Sequence, residues 1–344
     1  MLKETTNKIG VLDQKVMEEA QARLDNLTKP PGSLGYLEEL AVKVAGITKD
    51  ICPDLSNKSH VIMVGDHGVV QEGVSAFPQK VTQAMVKNFL NGGAAVNVLA
   101  NQYNVDISIV DIGMKHSLKA EGLINENIKK GTDNILHGPA MTRKQAVESI
   151  EVGIKIAQNL IDNGTNILGT GEMGIGNTTP SSAVVSVATG ETVERVVGYG
   201  TGIDEKGLKN KISIIKKAIE KNSPDQNDGI DILSKVGGFE IGGMAGVMLA
   251  GAANNVPVLV DGLISGAAAL IAFLIEPKVA NFLLPSHKSV EPGHQKLYDF
   301  LNMRPIFDLD MRLGEGTGAI LGMGIIESSN RIIKEMATFD SLDL

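Results

Sequence analysis

Apolar residues recur at two different spacings along the chain. Residues 10–27 and 34–49 place them three or four positions apart, which is the spacing of an amphipathic helix. Helical spacing returns after residue 315. Between these ends, short apolar runs rich in β-branched residues end in an acidic residue among glycines, which predicts buried parallel strands opening into loops. These runs are VIMVGDHG (61–68), ISIVDIG (107–113), NILGTGEMGIG (166–176) and PVLVDG (257–262).

The alternation of strands, glycine loops and helices from about residue 60 to 315 predicts the fold class. It indicates an α/β fold with a mainly parallel, Rossmann-like sheet flanked by helices. A chain of 344 residues is long enough for two unequal domains. We expect a small helical domain from residues 1–58 together with 318–344, and a large α/β nucleotide- and base-binding domain from residues 59–317.

Acidic residues at the ends of the apolar runs predict a binding crevice, because ligands of open α/β sheets bind outside the carboxyl ends of the strands. A further acidic element, RLGEGTGA (312–319), lies near the end of the chain. Its glutamate precedes a predicted helix capped by Thr317, and spacing alone leaves two roles open, a charge that caps the helix or a general base. The side chains expected to line the crevice are Asp66, Asp111, Glu172, Asp261 and Glu315.

The richest glycine loop is LGTGEMGIGNTTPSSA (168–183). Its glycines formally match GxGxxG, but the acidic residue that a dinucleotide site needs about 20 positions later is not evident. Asn177 to Thr179 followed by Pro180 predict a cap and a proline at the first helical position. The free N–H groups of such a helix start can bind an anion, and an ordinary capped helix is the alternative.

Two further segments carry candidate chemistry. Lysines cluster in GTGIDEKGLKNK (200–211), where one could contact a phosphate and a solvated helix face is the alternative. The loop PSHKSVEPGH (285–294) holds two histidines, a serine and a glutamate, which raises the possibility of a metal site. Its Pro-Gly bend instead favours contact between Ser289 and a phosphate or sugar hydroxyl.

Composition narrows the classes of partner. A net charge of −8 and a pI of about 5.4 argue against a general nucleic-acid binder, while a single small anion stays open. The only cysteine, Cys52, excludes an intramolecular disulfide and a cysteine-based zinc site. The start lacks the apolar core of a signal peptide, and polar residues break the longest apolar stretch, 241–275. We therefore expect no membrane span and a cytoplasmic location.

Seven motifs together resemble one family. In chain order they are PPGSLG, GDHGVVQEGVSAFPQ, GEMGIGNTT, GFEIGGMAG, VDG, SHKSVEPGH and RLGEGTGA. From about residue 5 onwards the chain resembles the nicotinate-nucleotide:dimethylbenzimidazole phosphoribosyltransferases (CobT). The resemblance implies transfer of 5-phosphoribose from nicotinate mononucleotide to a lower-ligand base. The products would be an α-riboside 5′-phosphate and nicotinate, for assembly of the nucleotide loop of cobamides (vitamin B12).

The resemblance also assigns roles to positions of this chain. Glu315 matches the catalytic carboxylate that takes the proton from the incoming base, and Glu172 matches a second active-site carboxylate near the ribose. The residues assigned to the nucleotide and its phosphate are Gly174, Gly176, Asn177, Thr178, Lys211, Asp261, Ser289 and Gly314. The residues assigned to the base pocket are Phe77, Val81, Met85, Met173 and Leu313.

The implied chemistry agrees with the residue types. Loss of nicotinate from a pyridinium leaves an oxocarbenium-like ribose, whose positive charge suits surrounding carboxylates. Neither a metal nor another cofactor is expected. The resemblance further implies a homodimer, and a heterodimer with a paralogous chain is the alternative.

Two positions depart from the family pattern. Phe77 and Met85 stand where a small polar residue and a glutamine are usual, so the base pocket is more apolar. We hypothesise that other aromatics, including purines and phenols, are accepted; the alternative is that both side chains pack on the same benzimidazole. For the whole chain, the rival functions are a catalytically weak paralogue or nucleotide-binding regulatory subunit and, less favoured, an NAD-dependent oxidoreductase.

Overall fold

A single parallel sheet organises residues 1–342, the part of the chain that the computed structural model describes. Its six strands lie in the order β3-β2-β1-β4-β5-β6, and every neighbouring pair is parallel. The predicted mainly parallel α/β fold is therefore confirmed. The strands are β1 (Lys58–Gly65), β2 (Val105–Gly113), β3 (Leu123–Asn125), β4 (Ile167–Met173), β5 (Val258–Val260) and β6 (Leu283–Pro285).

Helices surround this sheet and fill most of the connections between its strands. Short 3-10 turns at Gly68–Glu72, Pro277–Phe282 and Asp340–Leu342 complete the regular structure of the described part. The α-helices are α1 (Leu2–Lys8), α2 (Gln14–Asp25), α3 (Tyr36–Thr48), α4 (Lys80–Leu90), α5 (Ala95–Tyr103), α6 (Arg143–Asp162), α7 (Thr178–Thr189), α8 (Val193–Val196), α9 (Glu205–Asn222), α10 (Gly229–Val236), α11 (Phe239–Ala253), α12 (Leu263–Ile275), α13 (Pro292–Leu301) and α14 (Thr317–Glu335).

Both faces of the sheet are covered, which explains the unbroken apolar strand sequences. All eight residues of β1 are buried. Successive strand residues point to opposite faces. On β4, Leu168 faces α11 near Gly251, whereas the next residue, Gly169, faces Met323 of α14. The helices α11 and α14 thus lie on opposite sides of the sheet.

Helices α6 and α11 approach each other closely because glycines lie where they cross. A Cβ atom at Gly153 of α6 would overlap the carbonyl of Gly243 of α11. A Cβ atom at Gly246 of α11 would likewise overlap the carbonyl of Ile150 of α6. The GFEIGGMAG segment is therefore a helix whose glycines allow close packing behind the sheet.

The two ends of the chain meet beside the sheet. A small apolar cluster, separate from the main core, joins α2, α3 and α14 through Leu24, Ala41 and Ile333. Arg23 Nε also donates a hydrogen bond of 2.6 Å to the carbonyl of Ile333. These contacts support a small helical domain from residues 1–58 and 318–344. The division into domains stays a prediction, and residues 343 and 344 lie outside the described part.

Strand order fixes where a ligand crevice can open. From β1 the chain adds β2 and β3 on one side, and from β4 it adds β5 and β6 on the other. The order of the strands therefore reverses between β1 and β4, and a crevice forms beyond their carboxyl ends. Among residues 1–342, no helix is long and apolar enough to cross a membrane.

The close helix crossing gives a test of the fold. We expect Gly153→Ala to lower the free energy of unfolding by about 1–3 kcal/mol, because the new methyl group must push α6 away from α11. Urea unfolding followed by circular dichroism measures this. Gly138→Ala is the matched control, since a Cβ atom there meets no atom within 4 Å. Equal stability of the two variants would contradict the described packing.

Candidate active site

A cavity of about 710 Å³ opens at the carboxyl ends of the strands. Residues after β4, β5 and β6 and the turn before α14 form its walls, together with part of α4. It lies on the β4 side of the point where the strand order reverses. Gly200 and Thr201 also line it, so the chain brings residues from six separate segments to one place.

Glu315 lies in a turn of unusual backbone conformation. Gly314, Glu315 and Gly316 have φ angles of 85°, 63° and 88°, all in the left-handed region. A residue with a side chain seldom adopts this region, so the surrounding structure must hold Glu315 in place. The glutamate side chain is 7% exposed and faces the cavity, where one carboxylate oxygen accepts a 3.4 Å hydrogen bond from the Val96 N–H.

Contacts beneath the turn explain how it is held. His60 Nε2 lies 3.1 Å from the carbonyl oxygen of Glu315. Burial lowers the pKa of His60 to about 4, so the ring is neutral and carries its proton on the nitrogen that faces this carbonyl. Gly171 of β4 leaves room for the turn, because a Cβ atom there would overlap the Glu315 carbonyl.

Glu172, at the end of β4, is buried beside that turn. Asn177 Nδ2 donates a hydrogen bond to its carboxyl group. Burial, and after it the negative charge of Asp261, raises the pKa of Glu172 to about 8, against the opposing hydrogen bond from Asn177. A pKa of about 8 favours the neutral acid at neutral pH, whereas the sequence suggested a carboxylate.

Asp261 follows β5 and is the third acidic group in the cavity. Its Oδ1 accepts a 3.2 Å hydrogen bond from the Ala319 N–H in the first turn of α14, and lies 3.7 Å from Nδ1 of His287. Burial raises the pKa of Asp261, and His287 opposes this shift. Burial also raises the pKa of Glu315, and Asp261 adds to that shift. Mutual repulsion thus makes this region of the cavity receptive to a positive charge.

The start of α7, next to Glu172, offers hydrogen-bond donors to the cavity. Gly174, Asn177 and Thr178 line it, as does Ser289 from the loop after β6. Lys211 lies behind this wall, fully buried, and its Nζ donates a 2.8 Å hydrogen bond to Thr178 Oγ1. Burial lowers the pKa of Lys211 to about 8, and the charge of Glu291 opposes this shift.

Apolar side chains form a third region of the cavity. The five residues assigned to the base pocket all line it, as does Gly314. Phe77 is 51% exposed and Leu313 is 58% exposed, so both lie at the mouth. Of the residues that the resemblance assigns to the site, only Gly176 and Lys211 are absent from the cavity walls, and both adjoin residues that line it.

The expectation that Asp66 and Asp111 line the crevice is wrong. Asp66 accepts hydrogen bonds from Thr82 Oγ1 and from the Lys115 N–H, both 2.8 Å long. Asp111 accepts from the Met114 N–H at 2.8 Å. Asp66 therefore joins α4 to the loop that follows β2. Asp111 holds the loop that follows its own strand, a common use of aspartate at strand ends.

Details of two predicted helix starts are also wrong. Gly316, not Thr317, is the N-cap of α14, and Thr317 Oγ1 donates to the carbonyl of Gly314. Pro180 is the third residue of α7 instead of the first, and the side chain of Asn177 makes no capping hydrogen bond. The physical reason is that the buried acid Glu172 engages the Asn177 amide.

The dinucleotide interpretation of the glycine loop finds no support in the geometry. Gly169 and Gly171 lie within β4 and accommodate side chains and the turn before α14, so they form no phosphate loop. Sequence reasoning missed His60, although a histidine inside an otherwise apolar strand was a usable signal. It also missed Gly200 and Thr201, which line the cavity and carry no distinctive sequence signal.

The raised pKa of Glu172 predicts how stability depends on pH. The folded-state value of about 8 exceeds the ordinary 4.5, so the folded protein binds an extra proton between these values and loses stability as pH rises through them. Glu172→Gln removes this titration, and we expect its free energy of unfolding to fall less than that of the wild type between about pH 5 and pH 9, by on the order of a few kcal/mol. Urea unfolding at both pH values measures this, and identical pH slopes would contradict it.

Comparison with known proteins agrees with this geometry. A family model described as Phosphoribosyltransferase matches residues 9–343. A nicotinate-nucleotide–dimethylbenzimidazole phosphoribosyltransferase of Desulforamulus reducens is 52% identical, over 98% of this chain and 97% of its own. A protein of the same name from Acetivibrio thermocellus is 50% identical, over 99% of this chain and 97% of its own.

Solved structures give the same result. The crystal structure of CobT from Thermus thermophilus superposes with a TM-score of 0.93 at 40% sequence identity, over 96% of this chain and 99% of its own. The resemblance seen in the sequence motifs is confirmed over nearly the full length. The chain belongs to the nicotinate-nucleotide–dimethylbenzimidazole phosphoribosyltransferase (CobT) family.

Proposed function

We propose that this protein transfers 5-phosphoribose from nicotinate mononucleotide to an aromatic base, releasing nicotinate and forming an α-riboside 5′-phosphate for cobamide assembly. The observation that carries the proposal is the position of Glu315. Its rigidly held carboxyl group shares one cavity with the amide-rich start of α7 and with an apolar pocket. A general base, an anion site and a ring pocket are the three parts that this reaction needs.

The acidic groups suit the charge that develops during the reaction. The donor carries a positively charged pyridinium, and the ribose becomes oxocarbenium-like as nicotinate leaves. Asp261 and Glu315 face this charge, and a cation in the cavity lowers the pKa of Glu172 towards its ordinary value. Attack from the opposite face of the ribose gives the α-riboside, while Glu315 accepts the proton of the incoming base.

The nucleotide phosphate is proposed to bind at the start of α7. Gly174, Gly176, Asn177 and Thr178 present backbone and side-chain donors there, and the positive end of a helix favours an anion. Ser289 adds a hydroxyl group from across the cavity. Lys211 acts through Thr178, whose hydroxyl its ammonium group contacts.

The acceptor base is proposed to bind between α4 and the turn before α14. Val81 and Met85 of α4 face the cavity, with Phe77 and Leu313 at its mouth. The pocket offers apolar area and few polar groups to read the base. We therefore propose that it accepts phenols and purines in addition to dimethylbenzimidazole, and that Glu315 deprotonates the oxygen of a phenol.

We further propose a cytoplasmic homodimer, with pairing to a paralogous chain as the alternative. Large apolar side chains exposed at the cavity mouth, Phe77 and Leu313, support an interface on this side of the molecule. A single cysteine fits a reducing compartment.

Turnover by the Glu315→Gln variant tests the proposed function. Wild-type protein mixed with nicotinate mononucleotide and dimethylbenzimidazole should release free nicotinate, measured by chromatography. Glu315→Gln should bind the donor and unfold like the wild type but turn over about 10²–10⁴-fold more slowly, because it cannot accept a proton. Near-wild-type turnover would defeat the assignment of Glu315, and release of no nicotinate by the wild type would defeat the function.

Acceptor choice tests the proposed apolar pocket. Phenol and adenine should form ribosides with the wild-type protein, measured in competition with dimethylbenzimidazole. The double variant Phe77→Ser, Met85→Gln should shift the competition towards dimethylbenzimidazole by about tenfold, since one polar contact discriminates to roughly that extent. Strict preference of the wild type for dimethylbenzimidazole would end the proposal for phenols and purines, while the transfer reaction itself would stand.

A further inference from the structure

Thr82 joins two parts of the active site that bind different substrates. It lies on α4 and is fully buried, and its hydroxyl has a partner on each side. Oγ1 donates a 2.8 Å hydrogen bond to Oδ1 of Asp66 and accepts a 3.2 Å hydrogen bond from the Ile175 N–H. Neither the family motifs nor the acidic residues at the strand ends assign a role to this threonine.

The direction of both hydrogen bonds is fixed. The Ile175 N–H can only donate, so it occupies a lone pair of the Thr82 hydroxyl and leaves the single hydroxyl proton for Asp66. Asp66 in turn is held by the Lys115 N–H, 2.8 Å from its other oxygen. The hydroxyl therefore has one orientation, anchored to the loop that follows β2.

The two elements that Thr82 connects, α4 and the turn after β4, both line the cavity. Its neighbours Val81 and Met85 on α4 line the base pocket. Ile175 lies in the turn between Glu172 at the end of β4 and Asn177 at the start of α7. Loss of the hydrogen bond between Thr82 Oγ1 and the Ile175 N–H would let α4, with its part of the base pocket, shift relative to the residues around the ribose.

The same turn rests tightly on the end of β1. A Cβ atom at Gly174 would overlap the carbonyl of Gly65, so the turn has no room to move inwards. The Thr82 hydroxyl holds it from the side of α4. Between them, these contacts fix the turn in a single place.

We propose that Thr82 is a positioning residue that sets the distance between the acceptor base and the ribose of the donor. This inference rests on the proposed function. Transfer between two bound molecules requires the attacking nitrogen to lie about 3–3.5 Å from the anomeric carbon, and a misplacement of about 1 Å can reduce the rate about 100-fold. Each substrate binds mainly to one side, so the affinity for each depends little on the connection.

The test compares Thr82→Val with Thr82→Ser. Valine keeps the shape of threonine and removes both hydrogen bonds, and serine keeps the hydroxyl. With nicotinate mononucleotide and dimethylbenzimidazole, Thr82→Val should lower kcat about 10- to 100-fold and change each KM by less than about threefold. Thr82→Ser should restore kcat to within about threefold of the wild type.

Thr165→Val is the matched control for a purely structural effect. Thr165 Oγ1 is also buried and lies 2.7 Å from the hydroxyl of Ser59, at the other end of the sheet. We expect Thr165→Val to lower the melting temperature without lowering kcat. Should Thr82→Val not fold, Thr82→Cys replaces it, because it differs from Thr82→Ser only in a thiol that forms weak hydrogen bonds in place of the hydroxyl. The same selective loss of kcat is then expected.

Three results would overturn the inference. One is wild-type kcat in Thr82→Val, or in Thr82→Cys if that variant is used. Another is a loss of kcat that serine does not restore. The third is an equal loss of kcat in Thr165→Val. If the wild-type protein releases no nicotinate, the proposed function itself fails. If it releases nicotinate and one of these three results is found, only the inference about Thr82 fails.

Discussion

Burial of acidic groups, strengthened by the charge of Asp261 on its two neighbours, dominates the electrostatics of this cavity. Asp261 raises the pKa of both Glu172 and Glu315, and burial raises the pKa of all three. Within residues 1–342, Arg312 is the only lysine or arginine that lines the cavity, and it lies exposed next to Leu313. A proton on Glu172, which its raised pKa favours, relieves part of the repulsion from Asp261. A cationic ligand would relieve it more directly, which is why a pyridinium donor suits the site.

The fold keeps these groups together by backbone packing. Glu315 is held in a left-handed conformation by the neutral ring of His60 and by the absence of a side chain at Gly171. Glu172 and Asp261 project from strands in the middle of the sheet, where the hydrogen-bond ladder allows little movement. The sheet and the turn before α14 are stabilised by backbone packing and hydrogen bonds. They therefore hold the three acidic groups close together although this proximity is electrostatically unfavourable. This is a common way to prepare a site for a charged transition state.

The cavity also separates three kinds of recognition in space. The start of α7 offers hydrogen-bond donors, Glu172, Asp261 and Glu315 offer acidic groups, and α4 with the turn before α14 offers apolar side chains. The strand order 3-2-1-4-5-6 places the start of α7 and the acidic groups beyond adjacent strands. The connection through Thr82 and Asp66 then ties the ring pocket to the rest. Asp66, which does not line the crevice, still supports it from beneath.

The sequence by itself determined the strands, the helical ends and most of the site. Apolar runs ending in acidic glycine loops fixed β1, β2, β4 and β5, because a strand buried on both faces must be apolar along its length. The long motifs identified Glu315, Glu172 and the apolar pocket. Only the tertiary structure decided that Asp66 joins α4 to the loop after β2, that Asp111 serves the loop after its own strand, that burial raises the pKa of Glu172, and that Lys211 lies behind Thr178. Hydrogen-bond partners and burial decide such matters, and both come from segments far apart in the chain, which no local pattern records.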